Sequence, residues 1–288
     1  MEEAAGSGTG RRRIDWLPHL VLVLGVLIVA FPIYVTFVAS TLTSADILNA
    51  PMPLLPGRQL VANYLQALTG GTVLTSNQGV GRMMANSLVM ALGIAVGKIA
   101  ISILSAYAVV FFRFPLRPVF FWMIFVTLML PVEVRIVPTY KVVADLGMID
   151  TYAGLTIPLI ASATATLLFR QFFLTIPDEL VEAAKIDGAG PLRFFWDTVL
   201  PLSRTNIAAL FVILFIYGWN QYLWPLLVTN SPTMATIVIG IRQMIGVGDA
   251  LTSWGLVMAT TILAMLPPVL VVVLMQRWFV KGLVESEK

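Results

Sequence analysis

The sequence contains no cysteine and a single histidine. Disulfide frameworks and thiolate metal sites are therefore excluded. The lone His19 has no second metal ligand near it in the sequence, so it reads as structural. Charge is also scarce: 11% of the 288 residues are Asp, Glu, Lys or Arg, against about 25% in a soluble domain. There is no long soluble domain, clear internal repeat or low-complexity tract. What fills the chain is apolar. Hydrophobic residues make up 58% of it and the mean hydropathy is +0.90, where soluble domains average about 45–50% apolar. The sequence is that of an integral membrane protein. Its net charge of +3 and pI near 9.3 fit basic cytoplasmic loops and give no reason to expect nucleic acid as a partner.

Catalytic signatures are missing as well. Gly93 to Ile99 has the look of a phosphate loop, but it lacks the four residues between glycines and the Ser or Thr after the lysine that such a loop needs. Gly93 and Gly97 fit a G-x-x-x-G close-packing face better. No nucleophile elbow, zincin motif or His/Cys cluster occurs, so the chain is read as a non-enzyme without a catalytic or metal site.

The apolar runs set the layout, since a bilayer takes about 20 apolar residues per helix. Residues 1–16 form a hydrophilic tail with Arg11, Arg12 and Arg13. Residues 17–39 form an uncleaved first transmembrane helix, too long an apolar run for a signal peptide. A Pro- and Gly-containing loop covers 40–82. Further spans are expected at about 84–111, 119–139, 151–176, 203–228 and 254–279, within a core of 83–279, and 280–288 form a tail. The expectation is an all-α membrane protein of six transmembrane helices. With the N-terminus inside, twelve of the 18 Lys and Arg residues lie on the cytoplasmic side and five on the outer side, with Lys98 in a span. The positive-inside rule therefore puts both termini in the cytoplasm and 40–82 in the periplasm.

Inside the spans, Lys98 stands out, because a mid-membrane ammonium costs about 2.5–3.5 kcal/mol on insertion scales. Ser102 and Ser105 follow at i+4 and i+7 on the same face. Three readings stay open: a structural ion pair with a carboxylate such as Glu133, snorkelling, or contact with an anionic substrate. Glu133 and Arg135 are two residues apart and do not face each other on a helix. Pro131 and Pro138 bracket them and predict a broken segment, tolerated where it is buried in protein or lines water. The stretch 218–225 sets Trp219, Asn220, Gln221, Tyr222 and Trp224 beside Pro225. It suits either a cavity that binds a polyol or the aromatic belt of the interface.

The densest polar segment is 177–201, whose charges cannot lie in hydrocarbon. Pro177, Asp178 and Glu179 suit a first helical turn. Gly188 and Gly190 suit its stop, and Pro191 opens a second helix. Phe194, Phe195 and Trp196 call for a partner surface or the membrane interface.

Glu182-Ala183-Ala184, Gly188 and Leu200-Pro201 stand at the spacings of the EAA loop, with Thr198 where isoleucine is usual. The segment thus resembles that loop in permease subunits of type I ABC importers. The resemblance implies that Glu182, Ala183, Ala184, Asp187, Gly188, Leu200 and Pro201 couple the chain to a cytoplasmic ATPase. The runs 146–151, 154–155 and 219–226 resemble the carbohydrate-importer permeases related to the smaller maltose permease. Stretches 50–53, 113–117, 130–136, 161–166 and 282–284 are similar to permeases of bacterial sn-glycerol-3-phosphate importers. The resemblance implies a multi-pass subunit of the bacterial inner membrane. It would form one half of the pathway for sn-glycerol 3-phosphate, with glycerophosphodiesters as a further candidate cargo. Its implied partners are a homologous permease in a heterodimer, two ATPase subunits that carry ATP and Mg, a periplasmic solute-binding protein and membrane lipid. A different sugar or polyol remains the alternative substrate. Secondary transport is the alternative class, though no mid-span Asp or Glu supports it. Lys98, Ser102, Trp219, Asn220 and Tyr222 are the expected pathway residues.

Overall fold

The computed structural model describes residues 16–72, 75–127, 130, 132–246 and 252–285. Arg11 to Arg13, Pro131 and residues 286–288 lie outside the described residues, as do the side chains of Glu133 and of residues 279–285. The described residues are helical, with no strand among them. In order they form α1 (Trp16–Ser40), α2 (Ser44–Leu48), α3 (Leu60–Thr69), α4 (Val80–Phe111), α5 (Arg117–Val126), α6 (Val132–Asp145), α7 (Tyr152–Thr156) and α8 (Ala163–Phe173). The chain continues with α9 (Asp178–Ile186), α10 (Pro191–Phe194), α11 (Leu200–Leu202), α12 (Arg204–Trp219), α13 (Leu223–Val228), α14 (Ile237–Met244) and α15 (Trp254–Glu285).

Helix α4 is the axis of the molecule, with α8 and α12 packed against it; α12 also packs on α15, and α15 on α1. At 1.5 Å per residue, the 32 residues of α4 span about 48 Å, more than the ~30 Å hydrocarbon thickness. Two glycines allow the close approach at its centre. A Cβ on Gly93 would lie 2.9 Å from Thr156 Cγ2, and one on Gly97 2.5 Å from Ile160 Cγ2. The G-x-x-x-G face therefore receives the chain from α7 to residue 160. Elsewhere on α4, Ala91 faces Gly218 of α12, where an added Cβ would come within 2.9 Å of Ala91 Cα.

Among the described residues, three helices are long and apolar enough to cross a membrane unbroken: Trp16–Ser40, Val80–Phe111 and Trp254–Trp278. The expected span at 151–176 is bent by 49° between Leu159 and Ala163. Ser162 causes the restart, its hydroxyl accepting the Ala165 N–H as an N-cap. The expected span at 119–139 is divided into the ten-residue α5 and the separate α6. The expected span at 203–228 stops at Trp219 and resumes as α13. The 40–82 stretch is more ordered than a plain loop. Thr43 and Asp46 form a capping box that starts α2, and Ala67 of α3 is fully buried.

The turn at 146–151 is built on two left-handed residues, Gly147 (φ +67°) and Asp150 (φ +56°). The Asp150 carboxylate accepts the N–H groups of Asn230 at 2.6 Å and Ser231 at 2.8 Å. It thereby ties this turn to the exit of α13. Trp224 reinforces the joint by donating its indole N–H to the Gly154 carbonyl at 3.0 Å.

Candidate coupling segment and translocation cavity

Helix α9 carries Glu182-Ala183-Ala184 in its middle, with Asp178 and Glu179 in the first turn and Lys185 in the last. That charge order matches the helix dipole. Its end is a Schellman motif. The Ala189 N–H reaches the Ala184 carbonyl at 2.8 Å and the Gly188 N–H reaches the Lys185 carbonyl at 3.0 Å. Gly188 takes φ +69°, a conformation that glycine adopts without a Cβ penalty. Asp187 caps the helix just before it. Gly190 and Pro191 then open α10.

The second half of the segment departs from regular helix. Phe195–Val199 is a π turn, and the Leu200 N–H reaches back five residues to the Phe195 carbonyl. Pro201 explains the break, because it has no N–H to offer the Asp197 carbonyl and its ring would clash there. The chain then turns by 70° into α12.

The expectation that Phe194 and Phe195 need a partner surface or the membrane is corrected by the structure. Both are buried on an aromatic platform at the end of α4. Phe195 sits 5.0 Å from Tyr107 and Phe194 sits 5.4 Å from Phe111, which also meets Phe173 at 5.9 Å. Each such pair contributes about 0.5–1.5 kcal/mol beyond its area burial. The Tyr107 hydroxyl donates to the Pro191 carbonyl at 2.7 Å. The platform escaped sequence reasoning because a 32-residue helix outruns the bilayer and carries its own docking ledge. Val181, Ala184 and Leu200 turn toward this core, and Pro201 is half-buried. Glu182, Ala183, Asp187 and Gly188 are exposed, as are Ile186 (85%), Leu192 (73%) and Trp196 (62%).

The second feature is a cavity of about 130 Å³. Its wall includes Lys98 of α4, Arg135 and Thr139 of α6, and Tyr217, Gln221 and Trp224 around the end of α12. Lys98 is buried, and its Nζ lies 3.9 Å from the Tyr217 ring centroid. Such a contact offsets ~2 kcal/mol when desolvated, less than the insertion cost of the ammonium. Among the described side chains no carboxylate pairs with Lys98 or Arg135; the ion pairs found there are Lys141–Asp145 and Arg193–Asp197, both exposed.

Of the expected pathway residues, only Lys98 lies on this wall. Ser102 is buried and donates to the Ser162 carbonyl at 3.1 Å, pinning α4 to the start of α8. Trp219 stacks on Phe215 at 5.9 Å and donates to the Ala264 carbonyl at 3.1 Å, inside the core. Asn220 ends α12, and Asn220 and Tyr222 are exposed outside the cavity wall. The break after Trp219 accounts for the difference: Tyr217 at the end of α12, Gln221 in the break and Trp224 of α13 reach the cavity, whereas Trp219 points into the core. Arg135, expected only within a proline-broken segment, lies on the cavity wall. The helix-breaking prolines beside it were the available signal.

An all-helical bundle with an exposed, capped helix between two core spans has the fold of an ABC-importer permease. A solved bacterial ABC transporter involved in import of the acidic polysaccharide alginate shares it, with a TM-score of 0.79 at 20% identity, covering 96% of this chain and all of that one. Residues 98–285 match the family described as the binding-protein-dependent transport system inner membrane component. The chain belongs to that family. It is 69% identical over 272 residues to the sn-glycerol-3-phosphate transport system permease protein UgpE of Agrobacterium fabrum, covering 94% of this chain and 96% of that protein. It is 61% identical over 278 residues to the protein of the same name in Yersinia pestis, covering 96% and 99%. As a membrane permease subunit of an ABC importer it works in a complex with other importer components, and its relatives are transport subunits, not enzymes. Secondary transport is thereby set aside.

Proposed function

We propose that this chain forms half of the translocation pathway of an ATP-driven importer of sn-glycerol 3-phosphate in the bacterial inner membrane. The observation that carries the reading is the 69% identity to a glycerol-3-phosphate permease along nearly the whole of both chains. In this reading it pairs with a homologous permease, two ATPase subunits that bind ATP and Mg, and a periplasmic solute-binding protein. Both termini lie in the cytoplasm, 17–39 forms the first span, 40–82 is periplasmic, and 83–279 supplies five more spans. Helices α5 and α6 together make one broken span, the kind tolerated where it lines water.

The coupling residues are Glu182, Ala183, Ala184, Asp187, Gly188, Leu200 and Pro201. ATP closes the ATPase dimer, and the closure displaces α9. The Tyr107–Phe195 platform passes that motion to α4, and α12 moves through the rigid turn at Pro201. The two permeases then alternate between outward- and inward-facing forms, with Lys98 on the path. Co-expression with the candidate partners and uptake of radiolabelled sn-glycerol 3-phosphate test the reading. ATP-dependent uptake that disappears when this chain is omitted is expected. Uptake of a neutral sugar in place of glycerol 3-phosphate would overturn the substrate.

A further inference from the structure

Lys98 and Arg135 come from different helices, 37 residues apart in sequence, yet they line the same cavity. Lys98 is 8% exposed, and it has neither a hydrogen bond nor a carboxylate partner among the described residues. Its Nζ sits over the face of Tyr217, which holds the ammonium in place without neutralising it. Two cations on one wall repel each other when the cavity is empty, and Lys98 bears the further cost of burial. An anion that enters the cavity relieves that repulsion. Size agrees: one water needs about 10–15 Å³ of such space, and the cavity holds about 130 Å³, room for a phosphate group. The neighbours suit the rest of a small phosphate ester. Thr139 and Gln221 are hydrogen-bonding side chains, and Trp224 gives a flat apolar wall.

We propose that Lys98 and Arg135 form a phosphate subsite, in which a doubly charged phosphate monoester binds between the two cations with its polyol against Gln221 and Trp224. As to the substrate, this deepens the glycerol-3-phosphate reading and rests on it. It adds that this subunit selects for charge, and that Arg135 is a specificity residue.

The chain has no cysteine, which gives a test that does not depend on transport. Thr139→Cys places one thiol on the cavity wall of the assembled complex. Its labelling is followed on this chain with an anionic and a cationic methanethiosulfonate reagent of similar size. Each rate is divided by the reagent's rate with a small thiol in solution. A cleft lined by one sign of charge raises the local concentration of counter-ions by about tenfold or more, so the anionic reagent should win by about that factor. Arg135→Gln in the same background should erase most of the preference. Arg135 is exposed, so this variant should fold and assemble as the wild type does. Glycerol 3-phosphate should slow the labelling, and glycerol should not.

Equal normalised rates for the two reagents would overturn the subsite. So would a charge preference that Arg135→Gln leaves intact, or one that glycerol 3-phosphate fails to protect in a complex that imports it. Should the wild-type complex import no glycerol 3-phosphate, the substrate reading fails by itself. The anion site is then judged by protection with inorganic phosphate, and absence of that protection overturns it too.

Discussion

Gly188 and Asp150, both off the right-handed backbone, each hold a joint of this chain. Gly188 takes φ +69°, and a Cβ there would meet nothing within 4 Å. Space is therefore not the constraint; conformation is, and a β-branched residue is the least suited to it. Gly188→Val should cut transport at least several-fold at equal membrane abundance, while Gly188→Asn, which tolerates the left-handed region, should stay close to wild type. Wild-type uptake by the valine variant would remove Gly188 from the coupling argument. Asp150 works differently, because its carboxylate accepts two backbone N–H groups from residues 80 and 81 positions away. Asp150→Ala removes both bonds; water can replace the one to the exposed Asn230 N–H, so the cost should be about 1–2 kcal/mol. Asp150→Asn keeps an acceptor oxygen and should lose less. Limited proteolysis of the purified complex, read at the α13 exit, separates the two variants; equal cleavage of both and of wild type would show that the joint holds without the carboxylate, through Trp224 and the Asp150 N–H to the Val228 carbonyl.

At the level of elements, the apolar runs were legible and their interruptions were not. Hydropathy marks where hydrocarbon-facing chain begins and ends, so α1 and α4 could be drawn within four residues, whereas α15 runs to Glu285, past the expected end at 279. It is blind to a break that costs no polarity. The bend before α8 depends on one serine hydroxyl capping one N–H, and the π turn before Pro201 depends on a missing N–H. The same limit governs the cavity. Lys98 could be singled out as a lone cation in an apolar run, but only three-dimensional packing could bring Arg135 to it, or show that Trp219 faces Ala264 while Tyr217 faces the lysine. The small-residue face of α4, by contrast, was written in the glycine spacing itself. Gly97→Val would drive a side chain into Ile160, whose Cγ2 lies 2.5 Å from the built Cβ position. Overpacking of this kind costs about 1–3 kcal/mol, so the melting temperature of the detergent-purified complex should fall. Gly81→Ala, where a Cβ meets nothing within 4 Å, should leave it level or raised. Equal melting of Gly97→Val and wild type would mean that α4 and the 157–160 turn do not pack as described.

For the whole molecule, the question is which surface meets which neighbour. Helix α1 is exposed along nearly all its length, with only Val38, Ala39 and Ser40 buried, and an apolar rod of this kind belongs in lipid or against another membrane subunit. The face of α9 has another character. It is charged at Glu179, Glu182 and Lys185 and apolar at Ala183 and Ile186, a mixture suited to a water-exposed protein partner and not to hydrocarbon. The two alanines of the motif part company here. Ala183 is exposed, whereas Ala184 is half-buried against the protein's own core. If the exposed face is the ATPase contact, the partner sees Ala183 and cannot reach Ala184 without unseating α9. In this cysteine-free chain a single Ala183→Cys, paired in turn with cysteines placed along the ATPase surface, should form a disulfide under mild oxidation in the assembled complex. Its yield should change between the nucleotide-free and ATP-bound forms as the segment moves. Ala184→Cys should cross-link weakly with the same partners. Equal or reversed yields from the two positions would mean that α9 docks through the other face. Absence of any cross-link from 181–188 in a complex that imports substrate would place the ATPase contact elsewhere on the molecule.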